Sequence, residues 1–245
     1  MKRIGCQCKE RLDFRLKMAF QPIVDVFKRE VISYEALVRG SRGESALEVF
    51  KRVNEDNKYS FDQSCRITAI ETFARLQSDK CLNINFMPQA IYEPEACLAM
   101  TLKTAKKFDI PTNKIIFEVT EQERVVDKNF LISIFDVYKE CGFQTAIDDF
   151  GEGFAGLSLL CGFQPNYIKL SIELVRNIDT DFAKQTIFKG IQFMCEKLNI
   201  QMLAEGVETE SEYMYLKAHR VSLMQGYLFA KPELESLPTV YWPPL

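Results

Sequence analysis

Eight short runs rich in β-branched and aromatic residues punctuate the chain: MAFQPIVD (18–25), VISYEALVR (31–39), CLNINF (81–86), KIIFEVTE (114–121), QTAIDDF (144–150), YIKLS (167–171), IQMLAEGV (200–207) and LMQGYLF (223–229). Each has the length and composition of a strand. Segments of helical period lie between most of them. FDQSCRITAIETFARLQ (61–77) spaces Ile67, Ile70, Phe73, Ala74 and Gln77 along one face, and NFLISIFDVYKECG (129–142) ends on a glycine stop. Further on, Ile187, Ile191, Met194 and Leu198 form a stripe expected to face the core. Strand alternating with helix implies parallel pairing. The first two strands depart from this, because only VFKRE (26–30) separates them, too little for a helical crossover and suited to a hairpin. The predicted fold class is therefore α/β, an eight-stranded barrel with one antiparallel strand at its start.

The polar positions add to this picture. Glu35, Asn85, Glu118, Asp148, Asp149, Lys169 and Glu205 fall in the second half or at the end of a strand, where a buried parallel strand normally carries Val, Ile or Leu. Carboxylates converging on one mouth of a barrel repel each other unless cations sit among them.

Composition narrows the chemistry. The 245 residues are 47% hydrophobic and 27% charged, ample for a sizeable core. A net charge of -3 gives no general affinity for nucleic acid polymers. No run of about 18 apolar residues and no basic-then-apolar leader is present, so no membrane association and a cytoplasmic location are expected. No Pro-, Gly- or Ser-rich stretch divides the sequence, which reads as an N-terminal segment, 1–17, and one domain, 18–245. The eight cysteines lack disulfide or C-x-x-C spacing and read as mostly buried small hydrophobes, with Cys6 and Cys8 a polar-segment exception. His219 is the only histidine and lies in a helical stretch, so Ser-His-Asp hydrolysis and histidine-rich zinc chemistry lack parts. Any metal must be held by oxygen, which favours hard ions such as Mg²⁺ or Mn²⁺.

The stretch AIDDFGEGFAGLS (146–158) spells three motifs at once: the DFG of a kinase, a G-x-G-x-x-G turn and a paired-aspartate metal site. The kinase reading lacks an H-R-D loop. The dinucleotide reading places two aspartates where a pyrophosphate would sit, in the fifth strand–helix unit. The glycines are better read as a loop leaving the strand, with Asp148 and Asp149 at its metal-binding end.

These blocks together resemble the EAL-domain phosphodiesterases of bacterial cyclic di-GMP signalling. The resemblance rests on FQPIVD (20–25), EAL within YEALVRG (34–40), NINF (83–86), FEVTE (117–121), AIDDFGEGF (146–154), YIKL (167–170), LAEGVET (203–209) and QGYLF followed by Pro232, in the family's order. It is most similar to EAL domains attached to blue-light BLUF sensors, and no sensor is expected in the residues ahead of it. The resemblance implies a modified TIM barrel that linearises cyclic di-GMP to 5′-pGpG with two Mg²⁺ or Mn²⁺ ions. On matching positions it implies that Glu35, Asn85, Glu118 and Asp148 hold the first ion, while Asp148 bridges and Asp149 supports the second. Glu205 is then a ligand or general base, Lys169 orients water or offsets phosphoryl charge, and Gln225 completes the site beside the substrate. Glu121 pins the Asp-Asp loop, and Gln21, Arg39 and Pro232 contact substrate. The segment 151–162 forms a homodimer contact. The bland readings are a strand-end cap for Asn85 and a turn residue for Gln225, while Lys169 and Arg39 in isolation are more often solvated or salt-bridged than catalytic.

One departure stands out. The family carries Lys-x-Asp at the end of the sixth strand, whereas this chain has Lys169, Leu170, Ser171. A hydroxyl replaces a charge near the metals, which bears on catalysis more than on binding. The expected function is the phosphodiesterase. The alternative is a catalytically degenerate EAL module acting as a cyclic di-GMP receptor or protein-interaction regulator.

Overall fold

The computed structural model describes residues 12–120, 127–153 and 156–244. Strands β1 (Leu16–Asp25), β2 (Glu30–Gly40), β3 (Cys81–Asn85), β4 (Ile115–Thr120), β5 (Gln144–Phe150), β6 (Tyr167–Leu170), β7 (Gln201–Ala204) and β8 (Leu223–Met224) form one sheet, closed into a barrel by pairing of β1 with both β8 and β2. β1 runs antiparallel to both neighbours, and the pairs from β2 through β8 are parallel. The predicted α/β barrel with its antiparallel first strand is the fold observed. A ninth strand, β9 (Glu233–Leu234), adds antiparallel to β1 and had no counterpart in the sequence pattern.

The hairpin between β1 and β2 turns on Asp25, whose Oδ1 accepts from the backbone of Phe27 and Lys28, both at 3.0 Å. The helices are α1 (Ala46–Phe50), α2 (Lys58–Arg75), α3 (Pro94–Lys107), α4 (Lys128–Glu140), α5 (Gly156–Leu160), α6 (Ile172–Val175), α7 (Phe182–Leu198) and α8 (Glu210–Ala218). Their starts are written in the sequence. Asp127 and Asp181 cap α4 and α7 through backbone N–H groups, and Thr209 with Glu212 forms a capping box on α8. The core lies mainly between the outer barrel face and these helices, and an aromatic group there joins Phe117, Tyr138 and Phe143 across β4, α4 and the start of β5.

Several expected details differ. On α7 the buried residues are Phe188, Ile191 and Cys195, while Ile187 and Leu198 are exposed. On α2, Ile70 and Phe73 are buried as expected, but the helix ends at Arg75, which leaves Gln77 outside it and exposed. Its interior face instead carries an ion pair: Arg66 Nη2 lies 2.8 Å from Asp62 Oδ2, both side chains buried. Arg66 also donates to Cys97 O and Thr101 Oγ1, and Asp62 Oδ1 accepts from Met87 N, so the pair ties α2 to α3 and to the turn after β3. Of the six described cysteines, only Cys97 and Cys195 are fully buried, and Cys161 is exposed. Cys6 and Cys8 lie outside the described residues. His219 closes α8, stacked on Tyr215, in agreement with a structural role.

Candidate metal centre

Strand period orders the barrel interior into layers. Residues two apart share a face, so Ile116 leads to Glu118, Tyr167 to Lys169, Leu203 to Glu205 and Leu223 to Gln225. The lower layer is apolar, with Ile23, Leu203 and Leu223 packed beside Ile32 and Tyr167. The polar layers above it lie at the C-terminal ends of the parallel strands, where barrels of this kind carry their chemistry.

Lys169 occupies the centre. Its ammonium is fully buried and lies 2.7 Å from Glu205 Oε1, 2.9 Å from Glu118 Oε2, 3.0 Å from Asp148 Oδ1 and 3.5 Å from Glu35 Oε2. Burial alone would depress its pKa, but Asp148, Glu118, Glu205 and Glu35 together hold it well above the usual lysine value. One ammonium does not neutralise four carboxylates. Burial accordingly pushes Glu118 up to about 8 against the pull of Lys169, and burial followed by the charge of Asp148 pushes Glu205 well above the carboxylate range. For Asp148, burial is outweighed by Lys169 and by hydrogen bonds from Glu205, Lys169 and the Asp149 backbone, which hold it below its ordinary value.

Adjacent strand residues should point to opposite faces, yet Asp148 and Asp149 both reach the mouth. The ladder between β5 and β6 breaks between Ile147 and Phe150, and Asp149 adopts a left-handed φ of 51°. This bulge turns the second carboxylate inward. The next residue, Gly151, has a φ of 107°, a conformation that a side chain would strain. Burial and then Asp148 push the Asp149 carboxyl up to about 6.

Amides buttress the cluster. Asn85 Nδ2 donates to Glu35 Oε1 at 2.9 Å, Gln225 Nε2 to Glu35 Oε2 at 2.8 Å and to Gln21 Oε1 at 3.1 Å, and Gln21 Nε2 to Ala230 O. Gln225 reaches this position because Gly226 packs on the Val207 backbone so closely that a Cβ there would meet Val207 O at 2.0 Å. Asn83, which sequence reasoning missed, donates to Glu118 Oε1 at 2.6 Å. Its signal was an amide two residues before Asn85 in a strand that should read Val or Ile.

The residues fit divalent cations. Glu35, Glu118 and Asp148 form one group able to hold an ion, Asp148, Asp149 and Glu205 a second, and Asp148 is common to both. Every donor is a hard oxygen, the cluster carries surplus negative charge, and Gln225 Oε1 is buried without a hydrogen-bond partner. Gln21, Glu35, Asp149, Glu205 and Gln225 border a cavity of about 220 Å³, together with Glu208 and Tyr227. Asn85 faces a second, mainly apolar cavity of about 260 Å³.

The remaining expected residues sit as follows. Arg39 lies on β2, four residues beyond Glu35 on the same face, and its guanidinium donates to Val38 O. Pro232 is partly buried just before β9 and does not line the first cavity. Glu121 lies outside the described residues. Ser171 is not part of β6: it is the N-cap of α6, wholly buried, and its hydroxyl has no hydrogen-bond partner.

The sequence profile of the EAL domain matches residues 9–232. The chain belongs to the EAL-domain family. Among its relatives, the blue light- and temperature-regulated antirepressor BluF of Escherichia coli K12 is 35% identical over 92% of this chain and 56% of its own length. The probable cyclic di-GMP phosphodiesterase PdeG of the same organism is 32% identical over 62% of this chain and 30% of its own. The chain thus spans about half of BluF and under a third of PdeG. A standalone versatile EAL protein from Vibrio cholerae O395, solved in its c-di-GMP-bound form, is 53% identical with a TM-score of 0.91, covering 94% of this chain and 97% of that one. Klebsiella pneumoniae BlrP1, in a manganese and cyclic di-GMP complex, is 33% identical with a TM-score of 0.87 over 94% of this chain and 59% of that chain.

Proposed function

We propose that this EAL domain is a phosphodiesterase that hydrolyses cyclic di-GMP to linear 5′-pGpG with two divalent ions, Mg²⁺ or Mn²⁺. The observation that carries the reading is the pair of carboxylate groups sharing Asp148 around the buried Lys169. It is supported by the cyclic di-GMP named for the Vibrio and Klebsiella proteins and by the phosphodiesterases among the relatives. When bound, the ions would supply Lewis-acid polarisation of the phosphodiester and lower the pKa of water.

The chain's own residues do the rest. Glu35, Asn85, Glu118 and Asp148 would hold one ion, and Asp148 and Asp149 the other, with Glu205 beside them in the role of base. Free of its own proton once cations balance the cluster, Glu205 would take one proton of the attacking water as that water's oxygen bonds to phosphorus; the P–O3′ bond breaks, O3′ takes a proton from solvent, and a 5′-phosphate and a 3′-hydroxyl result. Lys169, held protonated by its four carboxylates, offsets charge gathering on the phosphoryl oxygens. Arg39 and Gln21 are assigned to the substrate phosphates, a role that suits Arg's fork of donors. Glu205 favours this reading over a pure receptor, which has no use for a base. A homodimer through residues 151–162 belongs to the same proposal, supported by Leu157, 61% exposed on α5.

The test is direct. Purified protein incubated with cyclic di-GMP and Mg²⁺ or Mn²⁺ should yield pGpG on chromatography, EDTA should stop it, and Ca²⁺ should inhibit because its larger, looser shell misplaces the water. No pGpG under any of these metals, or full activity in excess EDTA, overturns the proposal.

A further inference from the structure

We propose that Asn83 is a positioning residue that sets the metal selectivity of this centre. It holds Glu118 Oε1 from inside the barrel, so that a cation would meet only Oε2, the oxygen that also accepts from Lys169. The inference rests on the metal-site reading above and deepens it.

Asn83 lies one layer below the cluster, two residues before Asn85 on the same face of β3. The two amides cross over. Asn83 is in register with Glu35 but bonds Glu118, whereas Asn85 is in register with Glu118 but bonds Glu35. Glu118 is therefore gripped at both ends, with Oε1 2.6 Å from Asn83 Nδ2 and Oε2 2.9 Å from Lys169 Nζ. Both side chains are buried, with Asn83 3% exposed and Glu118 at 0%, so water does not compete for these bonds.

Packing alone does not account for an amide here. Asn83 Oδ1 is buried with no hydrogen-bond partner, a cost that valine or isoleucine would avoid. What the position uses is an N–H of Nδ2, whose recipient among the described residues is Glu118. A carboxylate with one oxygen turned down into the barrel offers a cation a single oxygen. That suits the small octahedral shells of Mg²⁺ and Mn²⁺. Ca²⁺ takes about 6–8 oxygens and readily uses carboxylates bidentately, so it is handicapped.

The experiment is calorimetric titration of the purified chain with MnCl₂ and with CaCl₂, in wild type, Asn83→Leu and Asn83→Ala, with near-UV circular dichroism to confirm the fold. Loss of the N–H frees Glu118 to swing and to bind bidentately. Mn²⁺ affinity should fall about tenfold while Ca²⁺ affinity holds or rises, so the ratio of Ca²⁺ to Mn²⁺ dissociation constants falls by about tenfold or more. A structural role alone would weaken both ions together. A ratio within about twofold of wild type in either folded variant overturns the inference and leaves the metal centre standing, because one tenfold step is the smallest effect such a contact is expected to have. Wild-type protein that binds neither ion overturns the metal-centre reading, and this inference with it.

Discussion

Replacing Lys169 with methionine keeps an unbranched apolar stem, one atom shorter, and removes the ammonium that sits inside the cluster. Four carboxylates then lose a cation that lies between 2.7 and 3.5 Å from each of them. Removing one partner of a buried charge pair costs about 3–5 kcal/mol, against a whole-domain stability of about 5–15 kcal/mol. At about 2–4 °C per kcal/mol for a chain of this size, Lys169→Met in EDTA should melt about 6–20 °C below wild type. Two controls follow from the same cause. The gap should narrow as pH falls, because protonated carboxylates no longer need the ammonium, and it should narrow in Mn²⁺, because carboxylates released from the ammonium bind the ion more tightly and each tenfold gain in affinity over wild type returns about 1.4 kcal/mol. Differential scanning fluorimetry across pH 5–9, with and without Mn²⁺, measures all three. A melting temperature in EDTA at pH 8 indistinguishable from wild type would refute the reasoning, since it would mean that Lys169 does not balance the cluster.

Glu205→Gln keeps shape and should lower kcat by about 10²–10⁴-fold, the usual worth of a general base, with the dissociation constant for cyclic di-GMP, read by calorimetry, almost unchanged. A variant that lost binding instead would place Glu205 among the substrate contacts. Metal-free stability should depend on pH with a definite sign. Asp149 at about 6 and Glu118 at about 8 are both raised above their unfolded values, so their contribution is fully present below the unfolded carboxylate range and is lost as pH climbs through 6 and 8. The melting temperature in EDTA should therefore fall between pH 5 and 9, and a rise over that window would contradict the assignment. The wild type should scatter light as a dimer at tens of micromolar and Leu157→Glu as a monomer, because the substitution puts a charge on the exposed apolar rim of α5; a monomeric wild type ends that proposal.

What could be read in the sequence, and what could not, follows from how each signal arises. Most of the barrel strands were legible because they are short runs of aliphatic and aromatic residues with helical segments between them, and the site because its charged residues stand where a parallel strand carries aliphatics. β9 was not, since two exposed residues carry no period. The α7 stripe held at Ile191 and at Met194, which packs partly buried against the core, but not at Ile187 and Leu198: FAKQTIFKGIQFMC is apolar around much of its circumference, so several stripes fit and packing chose Phe188, Ile191 and Cys195 as the buried set. Arg66 and Asp62 escaped notice because a hydrophobic periodicity scores a buried ion pair as solvent-facing. The inward turn of Asp149 depends on a bulge that alternation forbids, and only Gly151 hints at it. Lys169 by itself reads as a solvated lysine; its central place needs three dimensions.

Ser171 is where sequence and structure pull hardest on each other. The Lys-x-Asp pattern suggests a side chain sharing a strand face with Lys169, but β6 ends at Leu170 and Ser171 begins α6, its backbone N–H donating to Phe150 O and its own carbonyl accepting from Leu174 and Val175. Its hydroxyl caps nothing and is wholly buried. A carboxylate there reaches further than a hydroxyl, and it has the first turn of α6 as donors; N-cap bonds of this kind are worth about 1 kcal/mol. That turn starts with Ile172, which lines the cavity and packs against Gly206, the residue after Glu205. Ser171→Asp should thus firm the wall beside Glu205 and raise turnover in Mn²⁺ by about tenfold, the lower end of what contacts around a metal site deliver, with substrate affinity little changed. In EDTA the added charge works against stability. Glu35, Glu118, Asp148, Asp149 and Glu205 already exceed what Lys169 neutralises, and one more buried carboxylate should lower the melting temperature relative to wild type. A stability change without a rate change would show that Ser171 serves only α6. An unchanged rate with unchanged stability would show that the centre does not sense this position at all.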